Sequence, residues 1–179
     1  MKFKWGALFF LTVLTIFALL GNSLADDGVK ENQPAGVEDL FEGFVYYVDK
    51  QKTGLKSIKK RFSATLDSHK LGMEILKALI KGPQQAHLEA IWPEDTKINS
   101  FFIADDGKAY IDLNPGQSMI EDMDTLSELL AIYSMVNSLT VNIPEIKMVK
   151  ILIQGEDALT LAGHIDLGYF YKTNMLIVI

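Results

Sequence analysis

The spacing of apolar positions changes several times along the chain, and each spacing predicts a different element. Phe44-Val45-Tyr46-Tyr47-Val48 is a β-branched and aromatic run, and Leu55 to Phe62 is a second one after the turn residues Lys52-Thr53-Gly54. Together they predict a β-hairpin. From Leu71 the spacing becomes helical: Leu71, Ile75 and Leu79 share a face with Leu76 and Ile80, while Lys70, Glu74, Lys77 and Lys81 take the other face. Asp67 or Ser68 is placed to cap this helix, and Gly82-Pro83 stops it. Ile98 to Ala104 and Lys108 to Leu113 flank Asp105-Asp106-Gly107, a second hairpin in which the Asp-Gly pair is expected to supply positive φ angles.

Thr125-Leu126-Ser127-Glu128 has the form of a capping box, and it opens a second helix with an apolar stripe of Leu126, Leu129, Leu130, Tyr133 and Val136. After Pro144 the run Val149 to Ile153 predicts a strand covered on both faces and ended by Gly155. Leu159 to Leu167 reads as a short strand and turn, and the apolar stretch Met175 to Ile179 must pack or aggregate. The order is hairpin, helix, hairpin, helix, strand, with no internal repeat. It predicts an α+β fold, a small sheet built from two β-hairpins plus a further strand, with two helices packed on one face.

The N-terminal part asks for different treatment. Lys2 and Lys4 precede an uncharged run from Trp5 to Leu20, and small residues at Ser23 and Ala25 follow. Residues 1–25 therefore read as a secretory signal cleaved after Ala25, the alternative being an uncleaved membrane anchor. Either reading puts the rest of the chain outside the cytoplasm, periplasmic or secreted, because the two lysines hold the N-terminus inside. Residues 26–39 contain almost nothing to bury and read as a flexible linker, which leaves residues 40–179 as one domain.

Composition then narrows the classes. The 179 residues carry a net charge of -6, and removing residues 1–25 takes two of the 17 basic residues, leaving 15 against 23 acidic ones, or -8. An acidic chain lacks the surplus of Lys and Arg that nucleic-acid binding requires. The absence of cysteine excludes a disulfide framework, a thiolate zinc site, a cysteine nucleophile and a lipidated cysteine.

Several strings, in order, carry a family resemblance. They are Leu76-Lys77-Ala78-Leu79-Ile80-Lys81-Gly82-Pro83, Ile91-Trp92-Pro93, Ala109-Tyr110-Ile111-Asp112-Leu113, Val149 to Gly155 and Gly163-His164-Ile165-Asp166-Leu167. Over roughly Phe44 to Thr173 the chain resembles the GerMN domain, the sporulation and spore germination module of the GerM family of bacterial envelope proteins. The resemblance implies an extracytoplasmic domain without an assigned activity, with a fold similar to ring-building modules of secretion-type complexes. An interaction or scaffold role follows as its expectation. The chain has room for a single such domain, and it lacks the cysteine through which many relatives are lipid-anchored.

Candidate chemistry is sparse. Asp105, Asp106 and Asp112 could act as a carboxylate pair on a glycan, but turn chemistry alone explains Asp105 and Asp106, and a strand exit explains Asp112. His164 with Asp166 could form a metal pair or an oriented base, against a plainer role, with Gly163, in a turn-stabilising network. No HExxH, P-loop or dinucleotide fingerprint occurs, and no cofactor or metal is expected. The most suggestive feature is a cluster of basic residues on the first hairpin, Lys50, Lys52, Lys56, Lys59, Lys60 and Arg61, suited to anionic lipid, an acidic wall polymer or a protein partner. Lysines that guard an edge strand are the alternative. Phe101, Phe102, Tyr110 and Tyr133 are expected in the core, and Tyr46, Tyr47, Tyr169, Phe170 and Tyr171 could line a surface groove. Three roles are carried forward: a non-enzymatic envelope interaction module, a peptidoglycan-acting hydrolase using the second hairpin, and an oligomerising scaffold related to sporulation or germination. Membrane contact is expected only through an uncleaved N-terminus.

Overall fold

The computed structural model describes residues 39–116 and 123–179. The expected signal and all of the expected linker but Asp39 lie outside the described residues. Strand β1 (Leu40–Asp49) and strand β2 (Leu55–Ser63) form the first hairpin, followed by helix α1 (Ser68–Lys81) and the two-residue strand β3 (Leu88–Glu89). Strands β4 (Lys97–Ile103) and β5 (Lys108–Asn114) form the second hairpin, and helix α2 (Thr125–Asn142) leads to strand β6 (Met148–Ile153). The fold is α+β, with the strands divided between two three-stranded sheets, β2-β1-β3 and β4-β5-β6. β6 runs parallel to β5, a pairing that needs a long crossover, and α2 is that crossover.

Local chemistry sets most boundaries. Asp67 caps α1, its carboxylate accepting from the Lys70 N–H at 2.8 Å, and the Gly82 N–H closes the helix on the carbonyls of Ala78 and Leu79. The buried face is Leu71, Gly72, Ile75, Leu76, Ala78 and Leu79, the one the helical spacing marks. In the second hairpin only Gly107 takes a positive φ, +86°. Its N–H bonds to the Ala104 carbonyl at 3.0 Å, so the loop closes by a turn followed by one left-handed residue, and the Asp-Gly pair is not left-handed at both positions.

The capping-box expectation for the second helix is corrected. The cap is Asp124, whose carboxylate accepts from the Ser127 N–H at 2.7 Å. That shifts the frame by one residue, leaves Glu128 beyond the reach of a box and sends its carboxylate elsewhere. The expected stripe also narrows, because Leu126 is exposed. What replaces the stripe is a helix buried on most sides: Ser127, Glu128, Leu130, Ala131, Ile132, Ser134, Met135, Val136, Asn137, Ser138 and Leu139 are all buried. α2 packs against β1, β6 and α1, while α1 packs against α2, β4 and β1.

The polar side chains inside α2 each have a partner. β2 covers one edge of β1 throughout, but β3 covers the other edge only at Val48 and Asp49. Over the uncovered part, the Tyr46 N–H donates to Ser138 Oγ at 2.9 Å, the Phe44 N–H donates to Asn142 Oδ1 at 2.8 Å, and Asn142 Nδ2 donates to the Phe44 carbonyl at 2.6 Å. The helix side chains thus stand where a neighbouring strand would otherwise be. A Cβ at Gly43 would lie 2.6 Å from Asn142 Oδ1, so the approach requires glycine there. Further along α2, Trp92 Nε1 donates to Ser134 Oγ at 3.0 Å, and Asn137 exchanges two bonds with the Asn174 backbone at 2.8 and 2.9 Å.

The aromatic expectations divide. Tyr46 and Tyr47 are both buried, on opposite faces of β1, and of the two only Tyr47 reaches a cleft, from beneath. Phe101 is in the core, but Phe102, on the opposite face of β4, is 59% exposed and not a core residue. The Leu159–Leu167 segment forms no strand beyond an isolated bridge between Thr160 and Asp166. Met175–Ile177 is a short 3₁₀ turn, and Ile177 and Val178 pack on Tyr46, Val48, Leu55 and Leu130, while Leu176 stays exposed.

Two outcomes are expected. Ser138→Ala strands the buried Tyr46 N–H and costs about 1–3 kcal/mol in urea unfolding, with faster hydrogen exchange at the Tyr46 amide than at its neighbours. The pKa of Asp67 is lowered chiefly by the Lys70 N–H, and that of Asp124 by the Ser127 N–H. Their stabilisation is complete above the unfolded carboxylate value of about 3.9 and fades as pH falls through the lower folded values. An Asp67→Asn, Asp124→Asn variant should therefore show a flatter acid limb in stability against pH.

Candidate functional site

The first hairpin is held by its own turn. Asp49 is buried, and its carboxylate accepts from the Thr53 N–H at 2.7 Å, the Thr53 hydroxyl at 2.9 Å and the Gly54 N–H at 3.0 Å. Burial pushes its pKa up, but the bonds from Gly54 and Thr53, with the charge of Lys56, outweigh burial and hold it below the ordinary carboxylate value. Lys52 takes a left-handed φ of +55° in the same turn. The turn is thus anchored by a side chain from inside the strand.

The basic cluster falls on two faces and one edge. In register with β1, Lys56 and Lys60 lie on the face of Tyr47 and Gly43, whereas Lys59 and Arg61 lie on the face of Phe44 and Glu42. Lys50 and Lys52 sit in the exposed turn. Of the six, among the described residues, only Lys59 has a carboxylate within 4 Å: Glu42, at 2.8 Å. Glu42 is held below its ordinary pKa by the Lys59 hydrogen bond and then by its charge, and Lys59 is raised in turn. Beside the strand a cleft of about 330 Å³ opens between Lys59, Lys60 and Arg61 and the end of α1, where Lys81, Gln84 and Gln85 line it. Tyr47 closes its floor, the hydroxyl donating to the Ala78 carbonyl at 2.8 Å and burial pushing its pKa up to about 12.

β2 is also an edge. The Asp49 N–H donates to the Gly54 carbonyl, so the alternation of the antiparallel ladder turns the N–H and C=O groups of Leu55, Ser57, Lys59 and Arg61 outward. At Leu55 the edge is already taken: the Ile179 N–H donates to the Leu55 carbonyl at 2.9 Å, and Val178 pairs with Leu55 in parallel.

The second group of sequence candidates is occupied by backbone. His164 Nδ1 meets Glu128 Oε2 at 3.1 Å, so the carboxylate beside this histidine is Glu128 and not Asp166. Glu128 is fully buried and also accepts from the N–H groups of Leu161, Ala162 and His164 at 2.8–2.9 Å. Asp166 Oδ1 accepts from the Gly168 N–H at 2.7 Å, Asp112 Oδ1 from the Gly155 N–H at 2.7 Å, and Gly163 takes a φ of +96°. Asp112 is thus engaged at the exit of β6. Lys150, the one charged residue within the apolar run Val149 to Ile153, is buried and reaches the Leu167 carbonyl at 2.7 Å and Asp157 at 2.6 Å.

Two buried charges of opposite sign, Glu128 and Lys150, therefore hold one irregular segment. Sequence spacing does not reveal either role, because each partner lies more than ten residues away, Asp157 excepted. On the second hairpin, Asp106 is paired with Lys108 at 2.6 Å and lowered in pKa chiefly by that bond. Among the described residues no three His, Asp or Glu side chains converge in a metal-holding group, and no helix is long and apolar enough to cross a membrane. Glu128→Gln turns an amide N–H₂ toward backbone donors and should cost about 3 kcal/mol in urea unfolding, with early proteolysis in residues 156–167. Asp166→Asn keeps its acceptor and should stay within about 0.5 kcal/mol.

The fold has counterparts among known proteins. The family described as Germane, sporulation and spore germination, matches residues 44–159. A search of curated proteins gives no match. Among solved structures, a candidate lipoprotein from Clostridium perfringens is 27% identical with a TM-score of 0.53, over 84% of this chain and 93% of that one. The tandem GerMN domains of the sporulation protein GerM from Bacillus subtilis are 24% identical with a TM-score of 0.58, over 79% of this chain and 50% of that one. The first GerMN domain of GerM alone is 19% identical with a TM-score of 0.52, over 69% and 90%. This chain spans half of the tandem protein, about the share of one of its two domains. With the two hairpins, the two helices and β6 in place and the family match covering most of that span, the chain belongs to the Germane family of sporulation and spore germination proteins, as a GerMN-domain protein.

Proposed function

We propose that this GerMN domain is a non-enzymatic interaction module of the bacterial cell envelope, working outside the cytoplasm, and that the basic first hairpin is its contact surface. The observation that carries the reading is the different use of charged groups in the two regions. Asp112, Glu128, Lys150 and Asp166 each make hydrogen bonds to backbone, and Glu128 and Lys150 do so while buried. A catalytic carboxylate or histidine instead needs a reacting group within reach. On the hairpin, five of six cations lack a carboxylate within 4 Å among the described residues, although the chain as a whole is acidic. Such a local inversion of charge attracts anionic partners and raises their encounter rate.

The extracytoplasmic setting is supported by the pattern of residues 1–25 and by the likeness to a candidate lipoprotein. The partner is an acidic wall polymer or an envelope protein. The test replaces Lys50, Lys52, Lys56, Lys59, Lys60 and Arg61 together by Gln and compares retention on purified cell wall and cross-linking in intact envelope. Retention should fall at least tenfold and the loss should shrink as salt is added, since exposed charges are screened over about 8 Å at 0.15 M. Undiminished retention sinks the hairpin as contact surface. Wall cleavage that disappears in a folded Asp112→Asn protein would replace the module by a hydrolase.

A further inference from the structure

The outer edge of β2 combines three features. Its backbone donors and acceptors at Ser57, Lys59 and Arg61 point away from the sheet. Its side chains there are basic on both faces, with Lys60 and Lys81 lining the adjoining cleft. Its first position already carries an added backbone, from Val178 and Ile179. Taking the hairpin contact surface of the preceding section as its basis, we infer that this edge is a strand-addition site whose occupant is an extended acidic segment of a partner protein, pairing with β2 from Ser57 to Arg61.

The geometry selects the occupant. A strand added at the usual spacing of about 4.8 Å would set its side chains opposite Lys59 and Arg61 just as β1 sets Phe44 and Glu42 on the inner side. Glu42 reaches Lys59 diagonally at 2.8 Å, which shows that a carboxylate on a neighbouring strand meets this lysine. Carboxylates two residues apart on the incoming strand would meet Lys59 and Arg61, and the residue between them would face the cleft beside Lys60. Basic side chains repel a basic strand and lose hydration without compensation against a neutral one, and so favour addition of an acidic one. An anionic polymer without peptide groups could meet the charges, but it does not set donors and acceptors at the alternating spacing of a strand. The edge presents both donors and acceptors in alternation, which only another backbone pairs in full.

The test uses the full chain, and a ten-residue peptide alternating Glu and Thr as probe. Controls are the same peptide N-methylated at alternate residues, an alternating Lys and Thr peptide, and poly(glycerol phosphate). The Glu peptide should bind, slow hydrogen exchange at the Ser57, Lys59 and Arg61 amides at least tenfold, and lose at least tenfold in affinity on N-methylation or in a Lys59→Glu, Arg61→Glu variant. Equal binding of the N-methylated peptide overturns strand addition and leaves the basic contact surface standing. So does poly(glycerol phosphate) displacing the peptide without protecting those amides. Concentration-dependent dimers that protect the same amides without peptide overturn it in favour of a second copy. Failure of every anionic probe to bind overturns this inference and the contact-surface reading together.

Discussion

The structure turns on the unpaired edge of β1. A buried backbone N–H or C=O without a partner is costly, and the residues Phe44 to Tyr46 have β2 on one side and no strand on the other. A helix cannot offer its own backbone, which is already bonded internally, so only side chains can serve. Ser138 and Asn142 are short, and short side chains reach a strand edge only if the helix comes very near. Gly43 makes room for that approach. The consequence is that α2 lies deep in the molecule rather than on its surface, and the core of both sheets closes around it.

Depth then decides the chemistry of everything α2 carries. Ser127, Glu128, Ser134, Asn137 and Ser138 are all removed from water, and among the described residues no buried side-chain polar atom lacks a partner. Glu128 is the extreme instance, a buried carboxylate whose negative charge is met by three N–H groups and a histidine ring. The irregular segment it holds has little pairing of its own. Lys150 grips the same segment from β6 through a carbonyl and Asp157. Loop and core are thereby fastened by two buried charged side chains.

With those groups committed inside, the exterior becomes the informative surface. The first hairpin is rigid at its turn because Asp49 ties Thr53 and Gly54, and it presents cations on two faces of an open edge.

Local rules were legible along most of the chain. The two hairpins, the two helices and β6 follow from apolar spacing, and Asp67 and Gly82 stand where capping chemistry puts them. The ordered strings of the GerMN resemblance were legible too, and the family match spans those up to Gly155, while Gly163 to Leu167 lies beyond it. Other features depend on contacts between residues far apart in sequence: the split into two sheets, the parallel pairing of β6, the burial of Tyr46 and Tyr47, and the use of Glu128 for a distant loop. Period and propensity describe a residue's neighbours within one element and are blind to which element lies across from it. The sequence alone therefore determined the elements, their order and the family, and only the tertiary structure decided which charges are buried as fasteners and which remain on the surface. The reason is that burial is a property of packing, and packing is set by partners that no local pattern names.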